Sequence, residues 1–188
     1  MKSRIRKEIR RKLLALSSDE AAAKSQAACR TVAALAEFKD AQTVMMYLPI
    51  PGEVNTAHLA LTAFQQEKTV LVPRVDWTQR RMISVTYRSL DDEMIEDKYG
   101  VRTPAAGEPW PVEDIDFVIV PALGYDLRGH RLGRGGGFYD RFIGQPKMHA
   151  TTCGIAFEVQ VVEQLPIGDH DQPIDMVVTD RRTLRFKG

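Results

Sequence analysis

The first forty residues carry the polar and apolar pattern of two helices. Four apolar residues recur at near four-residue spacing: Ile5, Ile9, Leu13 and Leu16. This spacing predicts an amphipathic helix over residues 2–16 whose other faces are strongly basic. Ser17 and Glu20 then match a capping box, which predicts the start of a second, alanine-rich helix that runs to about Phe38.

Beyond residue 40 the pattern changes to short apolar runs. Three of them are β-branched and almost wholly apolar, as in strands covered on both faces: residues 43–50, 68–75 and 116–123. Residues 55–67 have a helical pattern with Asn55 or Thr56 as N-cap, so the first two runs form a βαβ unit. Two further strands are predicted near the C-terminus: residues 151–157 and 174–180. A short helix over 158–164 is expected between them.

The segment between the second and third apolar runs is less regular. Residues 81–88 alternate in polarity and indicate a more exposed strand. Residues 91–114 are rich in proline and acidic residues, which predicts a long irregular connection of the kind that often serves binding, with Trp110 packed beneath it. The whole pattern predicts one α/β domain over residues 1–188: a three-layer α/β/α arrangement with a mostly parallel sheet and an N-terminal helical pair on one face.

Composition narrows the function classes. The 188 residues include 26 Lys plus Arg against 25 Asp plus Glu, so no global field marks a nucleic-acid or membrane protein. Cys29 and Cys153 lack any zinc-binding spacing, which favours buried thiols in a reducing compartment. There is no apolar run of membrane-spanning length and no signal-peptide pattern. We therefore expect a cytoplasmic protein, a monomer, with neither nucleic acid nor membrane as partner.

Candidate chemistry concentrates in the glycine-rich segment "GHRLGRGGGFYDRF", residues 129–142. Its glycines precede a helix predicted from about Phe138, at the strand-end edge where α/β sheets bind ligands. Bare backbone N–H groups can converge on phosphate oxygens, and Arg131 and Arg134 can add charge-assisted bonds. Asp140 suits a hard cation such as Mg²⁺ that bridges to phosphate. The segment predicts a nucleotide phosphate site, although a flexible turn with solvated arginines has the same composition.

Two familiar phosphate motifs are excluded. A GxxxxGK[ST] loop needs Lys and a hydroxyl residue after its last glycine, whereas Gly137 is followed by Phe138 and Tyr139. The glycine spacing also differs from the dinucleotide fingerprint, and it lies too late in the chain for that fold.

The residues from Pro121 to Asp140 resemble the signature of the 5-formyltetrahydrofolate cyclo-ligase family. The matching elements are Pro121, Gly124, Asp126, Gly129, Arg131–Gly133 and Gly135–Asp140. Three more pieces occur in family order: Lys2 with Arg6, "YLPIPGEVNT" at 47–56, and "DQPIDMVVT" at 171–179. The resemblance spans nearly the whole chain. It implies an enzyme that uses ATP and Mg²⁺ to convert 5-formyltetrahydrofolate to 5,10-methenyltetrahydrofolate, ADP and phosphate.

The resemblance also implies roles for individual residues, with Arg134 as the catalytic group. It assigns ATP to Lys2, Arg6, Arg131, Leu132, Gly133, Arg134, Gly135, Gly136, Gly137, Phe138 and Tyr139. It assigns the folate to Leu48, Glu53, Tyr99, Arg134, Gly135, Gly136, Gly137 and Phe138. It assigns Mg²⁺ to Asp140 and Asp171, with Asp175 as the competing carboxylate. After Tyr99 the chain departs from the family pattern, because Arg102 and Thr103 stand where an acidic residue is common.

Two other functions stay open at this level. The basic N-terminal helix, which contains Lys2 and Arg6 one turn apart, has the charge of a solvated face or of an RNA-binding arm. A nucleic-acid-binding module would use that helix and leave the acidic residues Glu53, Asp140 and Asp171 without a task. A sugar-phosphate isomerase on a similar scaffold would use the glycine loop without ATP.

Overall fold

The structure, a computed structural model, describes residues 1–97 and 100–186. Its α-helices are α1 (Lys2–Leu14), α2 (Ser18–Ala34), α3 (Ala36–Asp40), α4 (Ala57–Gln65) and α5 (Phe138–Ile143). The strands of its first half are β1 (Thr43–Met45), β2 (Thr69–Asp76), β3 (Arg81–Tyr87), β4 (Met94–Glu96), β5 (Arg102–Pro104) and β6 (Pro109–Trp110). Those of its second half are β7 (Phe117–Val120), β8 (Gly124–Asp126), β9 (Arg131–Leu132), β10 (Thr151–Ala156), β11 (Val161–Val162), β12 (Met176–Thr179) and β13 (Thr183–Arg185). Two 3₁₀ turns span Val112–Asp114 and Glu158–Gln160. Within the described ranges no helix has the length and apolarity needed to cross a bilayer.

A central sheet carries the predicted parallel architecture. Its strand order is β13-β12-β10-β7-β1-β2-β3-β6. The inner strands from β12 to β2 are parallel, and the outer strands β13, β3 and β6 pair antiparallel. Every residue of β7 is buried because both faces of the sheet are covered, which explains its continuous apolar run. The predicted α/β class with a mostly parallel sheet is confirmed.

The two faces of the sheet are covered unequally. Helices α2 and α4 contribute Cys29, Val32 and Leu59 to a large core on one face. The other face packs against Phe142 of the short helix α5 and against Tyr125 of β8. The second outer layer is therefore thin, and it leaves space above the strand ends for a ligand.

Helix α1 packs at two separate places, whereas α2 packs on one face of the sheet. Leu13 and Leu16 join the core beneath α2, but Ile9 packs against β8 and the turn Glu158–Gln160. Gly124 permits this approach, since a Cβ atom there would lie 2.5 Å from Ile9 Cδ1. The N-terminal half of α1 consequently lies beside the strand ends rather than flat on the sheet.

The capping box is confirmed, but the second helix ends earlier than expected. Glu20 N donates to Ser17 Oγ at 3.2 Å, and Ser17 N donates to the Glu20 carboxylate at 2.9 Å. Leu35 adopts extended backbone with ψ 141°, which divides the predicted helix into α2 and α3.

Three other predicted segments differ from the structure. The helix expected over 158–164 is only a 3₁₀ turn, because the buried Gln160 side chain donates to the Ala122 and Leu123 carbonyls. Residues 91–114 contain β4, β5 and β6 instead of being wholly irregular. The first strand is also shorter than 43–50 and ends at Met45.

Candidate active site

A cavity of about 380 Å³ opens at the carboxyl ends of the parallel strands. Tyr47 and Leu48, which follow β1, form part of its floor together with Pro121 and Ala122, which follow β7. The opposite wall is the segment Gly133–Asp140, from which all residues except Gly135 line the cavity. Most of the remaining lining is apolar. The cavity therefore brings the predicted glycine loop and the predicted folate residue Leu48 to one place.

The backbone of the glycine loop is shaped to expose its N–H groups. Gly135 and Gly137 have φ values of +118° and +63°, which L side chains rarely adopt. Gly136 has a different requirement, since a Cβ atom there would lie 2.6 Å from the Phe138 ring. Among the described hydrogen bonds, none is donated by a backbone N–H group of residues 133–137. Backbone donors left without a described partner, at the end of a strand and before α5, are of the kind that binds anions in other proteins.

Glu53 and Arg134 meet across the cavity although 81 positions separate them in sequence. Arg134 Nη2 lies 3.3 Å from Glu53 Oε1, and Ile50 N donates to Glu53 Oε2 at 3.2 Å. The Glu53 side chain is 12% exposed, whereas that of Arg134 is 44% exposed. Burial raises the pKa of Glu53 even though Arg134 opposes the shift. A partly desolvated carboxylate beside a half-exposed guanidinium is typical of a ligand site.

Arg131 and Asp140 form an ion pair beneath the loop. Arg131 Nη2 lies 2.6 Å from Asp140 Oδ1, and Nη1 donates to the Gln172 carbonyl at 2.5 Å. Gln172 N also donates to Asp140 Oδ1, at 3.2 Å. The Arg131 side chain is only 4% exposed, and both of its described bonds go to protein groups. Its positive charge is partly compensated inside the protein, while the residue still lines the cavity, so its predicted bond to phosphate stays a prediction.

A second ion pair anchors the start of α1 beside this cluster. Lys2 Nζ lies 2.8 Å from Asp171 Oδ2, which also accepts the Gly168 N–H at 2.8 Å. Partial burial raises the pKa of Asp171, but the bonds from Lys2 and Gly168 outweigh it, so the pKa lies below its ordinary value. Arg6 Nε donates to the Gly133 carbonyl at 3.1 Å. The basic helix thus contacts the glycine loop directly.

Asp171 and Asp175, the two aspartates that compete for the metal in the sequence analysis, lie at opposite ends of the sheet. Asp171 neighbours Gln172, whose backbone bonds both Arg131 and Asp140. Asp175 instead accepts bonds from Thr152 N and Oγ1 at 2.8 and 2.7 Å, at the amino ends of β10 and β12. That end of the sheet is opposite the cavity, so Asp175 does not belong to the site.

Several predicted residues do not line the cavity: Lys2, Arg6, Gly135 and Asp171 lie outside its lining. The Leu132 side chain is buried and does not line it, so only its backbone can take part. Tyr99 lies outside the described residues.

Sequence reasoning missed several lining residues. Tyr47 and Trp77 line the cavity, and Arg102, noted only as a departure from the family pattern, does so as well. The Tyr139 hydroxyl is buried and has no hydrogen-bond partner in the described part of the chain. Trp77 could not have been found from periodicity, because it is brought to the site by a turn. The buried Tyr139 hydroxyl, which has no described partner, indicates that ligand or solvent supplies its hydrogen bond.

The fold and the site together define an α/β protein with an apolar cavity at the strand ends, walled on one side by a glycine loop, which is the usual place and shape of a small-molecule site. The family model described as the 5-formyltetrahydrofolate cyclo-ligase family matches residues 1–180. The chain therefore belongs to the 5-formyltetrahydrofolate cyclo-ligase family.

Individual relatives agree with this assignment. The mouse 5-formyltetrahydrofolate cyclo-ligase is 28% identical over 184 residues, covering 93% of this chain and 91% of the mouse protein. The Haemophilus influenzae 5-formyltetrahydrofolate cyclo-ligase is 29% identical over 178 residues, covering 93% of this chain and 92% of that protein. The NMR structure of Aquifex aeolicus 5,10-methenyltetrahydrofolate synthetase matches with a TM-score of 0.86 and 32% identity, covering 100% of this chain and 93% of that one. The predicted class of enzyme, a folate cyclo-ligase of one-carbon metabolism, is confirmed.

Proposed function

We propose that the protein uses ATP and Mg²⁺ to cyclise 5-formyltetrahydrofolate to 5,10-methenyltetrahydrofolate, with release of ADP and phosphate, in the cavity between Glu53 and the glycine loop. The observation that carries this proposal is the Glu53–Arg134 pair at 3.3 Å. It joins the carboxylate proposed for the folate to the loop proposed for the nucleotide. Both ligands then share one enclosed space, as a direct transfer between them requires.

The folate is proposed to lie on the apolar side of the cavity. The Glu53 carboxylate can accept hydrogen bonds from the N–H groups of the pterin ring. Its low exposure makes such bonds stronger than they are in water. Leu48 and Phe138 offer apolar surface to a planar ring. Tyr99 stays a prediction from the family resemblance alone.

The nucleotide is proposed to lie along the glycine loop. Its phosphate oxygens would accept bonds from the backbone N–H groups of residues 133–137. Arg6 contacts the same loop from α1, and Lys2, which lies one turn earlier and is held by Asp171, is proposed to reach the phosphates from the same side. Leu132 would take part through its backbone, since its side chain is buried. The unpartnered hydroxyl makes Tyr139 a donor available to the ligand.

The residues of the site fit a magnesium ion that is held mainly by the nucleotide. Both described bonds of Asp140 go to Oδ1, which leaves its second oxygen for a cation. The described residues gather no group of three or more acidic, His or Cys side chains, so an all-protein cage is not formed there. One or two carboxylates completed by phosphate oxygens and water are the shell that Mg²⁺ prefers. We propose Asp140 and Asp171 as those carboxylates, and the bound ion would neutralise phosphate charge.

The reaction then proceeds in two steps. The formyl oxygen on N5 attacks the γ-phosphorus, the bond from that phosphorus to the bridging oxygen breaks, and ADP leaves. N10 next attacks the activated carbon, the carbon–oxygen bond breaks, and phosphate departs while N10 loses its proton to solvent. Positioning and charge neutralisation are sufficient for such a transfer.

Arg134 is proposed as the catalytic group for the first step. When the pterin engages Glu53, the half-exposed guanidinium is released toward the transferring phosphoryl group. A planar guanidinium matches the geometry of phosphate oxygens and stays charged throughout. In this proposal the loop carries the guanidinium to the side of the cavity where negative charge would accumulate on the phosphoryl group.

Three further properties belong to the same proposal. We place the enzyme in the cytoplasm as a monomer that acts without a nucleic-acid partner. The burial of Cys29 and Cys153 as free thiols is compatible with a reducing compartment. The ion pair of Lys2 with Asp171 supports a task for the basic helix at the folate cyclo-ligase site rather than on RNA.

The proposal is tested by mixing the protein with 5-formyltetrahydrofolate and MgATP and following the near-ultraviolet absorbance of the methenyl product. Product should form only when both substrates are present. Arg134→Ala should lose at least about tenfold in kcat/KM, because a hydrogen bond to a charged group contributes roughly 1.5–3 kcal/mol. Arg128→Ala, at an exposed arginine of the β8–β9 turn, is the matched control and should keep full activity. Turnover without ATP, or equal loss in both variants, would contradict the assignment.

A further inference from the structure

The exposed side chain of Arg141 lies outside the cavity and hydrogen-bonds to two of the cavity's walls. Its Nε donates to the Arg80 carbonyl at 2.8 Å, and its Nη2 donates to the Gly136 carbonyl at 2.8 Å. The guanidinium carbon also lies 5.2 Å from the centroid of the Phe138 ring. Arg141 does not line the cavity itself. One guanidinium therefore joins the β2–β3 hairpin to the glycine loop.

The turn of the β2–β3 hairpin, which provides the Arg80 carbonyl, is held in place by hydrogen bonds within the turn. The Asp76 carboxylate accepts the N–H groups of Thr78 and Gln79 at 3.0 and 2.9 Å. Arg80, the last residue of the turn, has a φ of +51°, a conformation that a non-glycine residue keeps only when its surroundings hold it. The bond from Arg141 to the Arg80 carbonyl is one such restraint.

The same hairpin forms a wall of the cavity. Trp77 lines the cavity, and its ring meets the Phe138 ring edge to face at 5.1 Å. Phe138 packs in turn on Gly136, where a Cβ atom would lie 2.6 Å from the ring. The hairpin and the glycine loop thus meet twice, through Trp77 inside the cavity and through Arg141 outside it.

We propose that Arg141 is a positioning residue that couples the binding of nucleotide and folate. Phosphate held by the loop N–H groups fixes Gly136, and Arg141 passes that restraint to the hairpin that carries Trp77. The planar fork of arginine reaches both carbonyls at once, which the single ammonium group of lysine cannot do in the same geometry. This inference rests on the proposed function, because it takes the two ligands to be ATP and 5-formyltetrahydrofolate. Coupling of this kind is reciprocal, so each ligand must tighten the other by the same factor.

The test measures the dissociation constant of 5-formyltetrahydrofolate with and without a saturating non-hydrolysable MgATP analogue. In the unmodified protein the analogue should tighten folate binding by about fivefold or more. In Arg141→Gln the tightening should fall below about twofold, and Arg141→Lys should not restore it. Arg81→Gln is the matched control on the same hairpin, since its exposed side chain pairs only loosely with Asp76 at 3.7 Å. It should keep the full effect. Full tightening in Arg141→Gln, or none in the unmodified protein, would overturn the proposal.

A fluorescence measurement keeps the proposal testable even if Arg141→Gln folds poorly. Trp77 and Trp110 are the two tryptophans of the sequence, so Trp110→Phe leaves Trp77 as the single reporter. With Arg141 intact, the nucleotide analogue alone should change the Trp77 emission, and an unchanged spectrum at saturation would overturn the coupling. If neither ligand binds the unmodified protein, the proposed function fails as well; if both bind independently, only the coupling fails.

Discussion

At the scale of single residues, Glu53 is the group whose environment departs most clearly from the one suggested by its sequence context. A lone glutamate in a loop is ordinarily solvated, yet this side chain is 12% exposed and paired with Arg134. Glu53→Gln should raise the KM for 5-formyltetrahydrofolate more than the KM for ATP, because the carboxylate is proposed to face the pterin. The measurement is steady-state kinetics with each substrate varied in turn. A rise confined to ATP would contradict the assignment.

The same residue should give stability a characteristic dependence on pH. Its folded-state pKa lies above the ordinary value of 4.5 because burial disfavours the charged form. At pH values below 4.5 both states are protonated, and as the pH rises the unfolded state ionises first, so Glu53 lowers the free energy of unfolding until the folded pKa is passed. The Glu53→Gln variant has no ionisable group at this position, so its free energy of unfolding does not fall in this way. Denaturant unfolding of both proteins should therefore show the variant gaining relative stability as the pH rises above 4.5, until the raised folded-state pKa of Glu53 is passed. A constant difference would show that the carboxylate is not desolvated.

Asp140 has a structural task as well as its proposed metal-binding one. Asp140→Asn removes the ionic partner of the buried Arg131 guanidinium, which should cost roughly 1.5–3 kcal/mol and lower Tm by about 3–12 °C. The variant should also need more Mg²⁺ for half-maximal activity, because a hard cation prefers a charged oxygen. Thermal melts and Mg²⁺ titrations measure the two effects separately.

Asp171→Asn is the comparison for the thermal melts alone, because its partner Lys2 is partly exposed and the loss of stability should be smaller. As the second proposed ligand, Asp171 should also raise the Mg²⁺ requirement when it is replaced by Asn. An unchanged Tm in Asp140→Asn would contradict the ion pair as a stabilising contact. A Mg²⁺ midpoint equal to that of the unmodified protein would remove Asp140 as a ligand.

The residue scale also marks where sequence reasoning ends. The candidates Glu53, Arg134 and Asp140 could be named from the sequence because their neighbours resemble a family signature. Their partners could not, since the Glu53–Arg134 and Lys2–Asp171 contacts join positions 81 and 169 residues apart. The pairing of Arg131 with Asp140 could not be predicted either, since nothing in the sequence pattern joins the two side chains.

At the scale of elements, α1 joins a contribution to the stability of the fold with the proposed binding of nucleotide. Ile9 is 1% exposed and fixes the helix against Gly124, while Lys2 and Arg6 on the same helix reach the site. Ile9→Ala should cost about 2–5 kcal/mol and raise the KM for ATP more than that for folate. Leu14→Ala, at a residue 86% exposed on the same helix, should change neither. Thermal melts and kinetics on both variants test this. Equal effects in the two variants would contradict the packing of α1.

Whether a segment forms a helix or a strand was predictable where a single physical effect, burial or local hydrogen bonding, sets the sequence pattern. The buried inner strands and the capped start of α2 follow from burial and from local hydrogen bonding, so their sequence patterns are clear. The ends of elements depend on tertiary contacts. The turn Glu158–Gln160 is one example, because the buried amide of Gln160 bonds to two carbonyls of a distant segment and stops the expected helix.

At the scale of the whole molecule, the order of the strands creates the site. The inner strands are parallel, so the segments that follow β1 and β7 emerge at one edge and carry Glu53 and the glycine loop to the same cavity. This convergence was predictable once a parallel sheet was inferred. The hairpin wall with Trp77 was not, because the outer strand β3 pairs antiparallel and turns back over the cavity.

The central claim is that the formyl oxygen of the folate attacks ATP directly inside this cavity, and an isotope experiment tests it most directly. The protein is given MgATP and 5-formyltetrahydrofolate labelled with ¹⁸O in the formyl group, and the released phosphate is examined by mass spectrometry. The account predicts that each phosphate carries the formyl ¹⁸O, because the carbon–oxygen bond breaks only after that oxygen has joined phosphorus. Unlabelled phosphate formed along with methenyl product would contradict it.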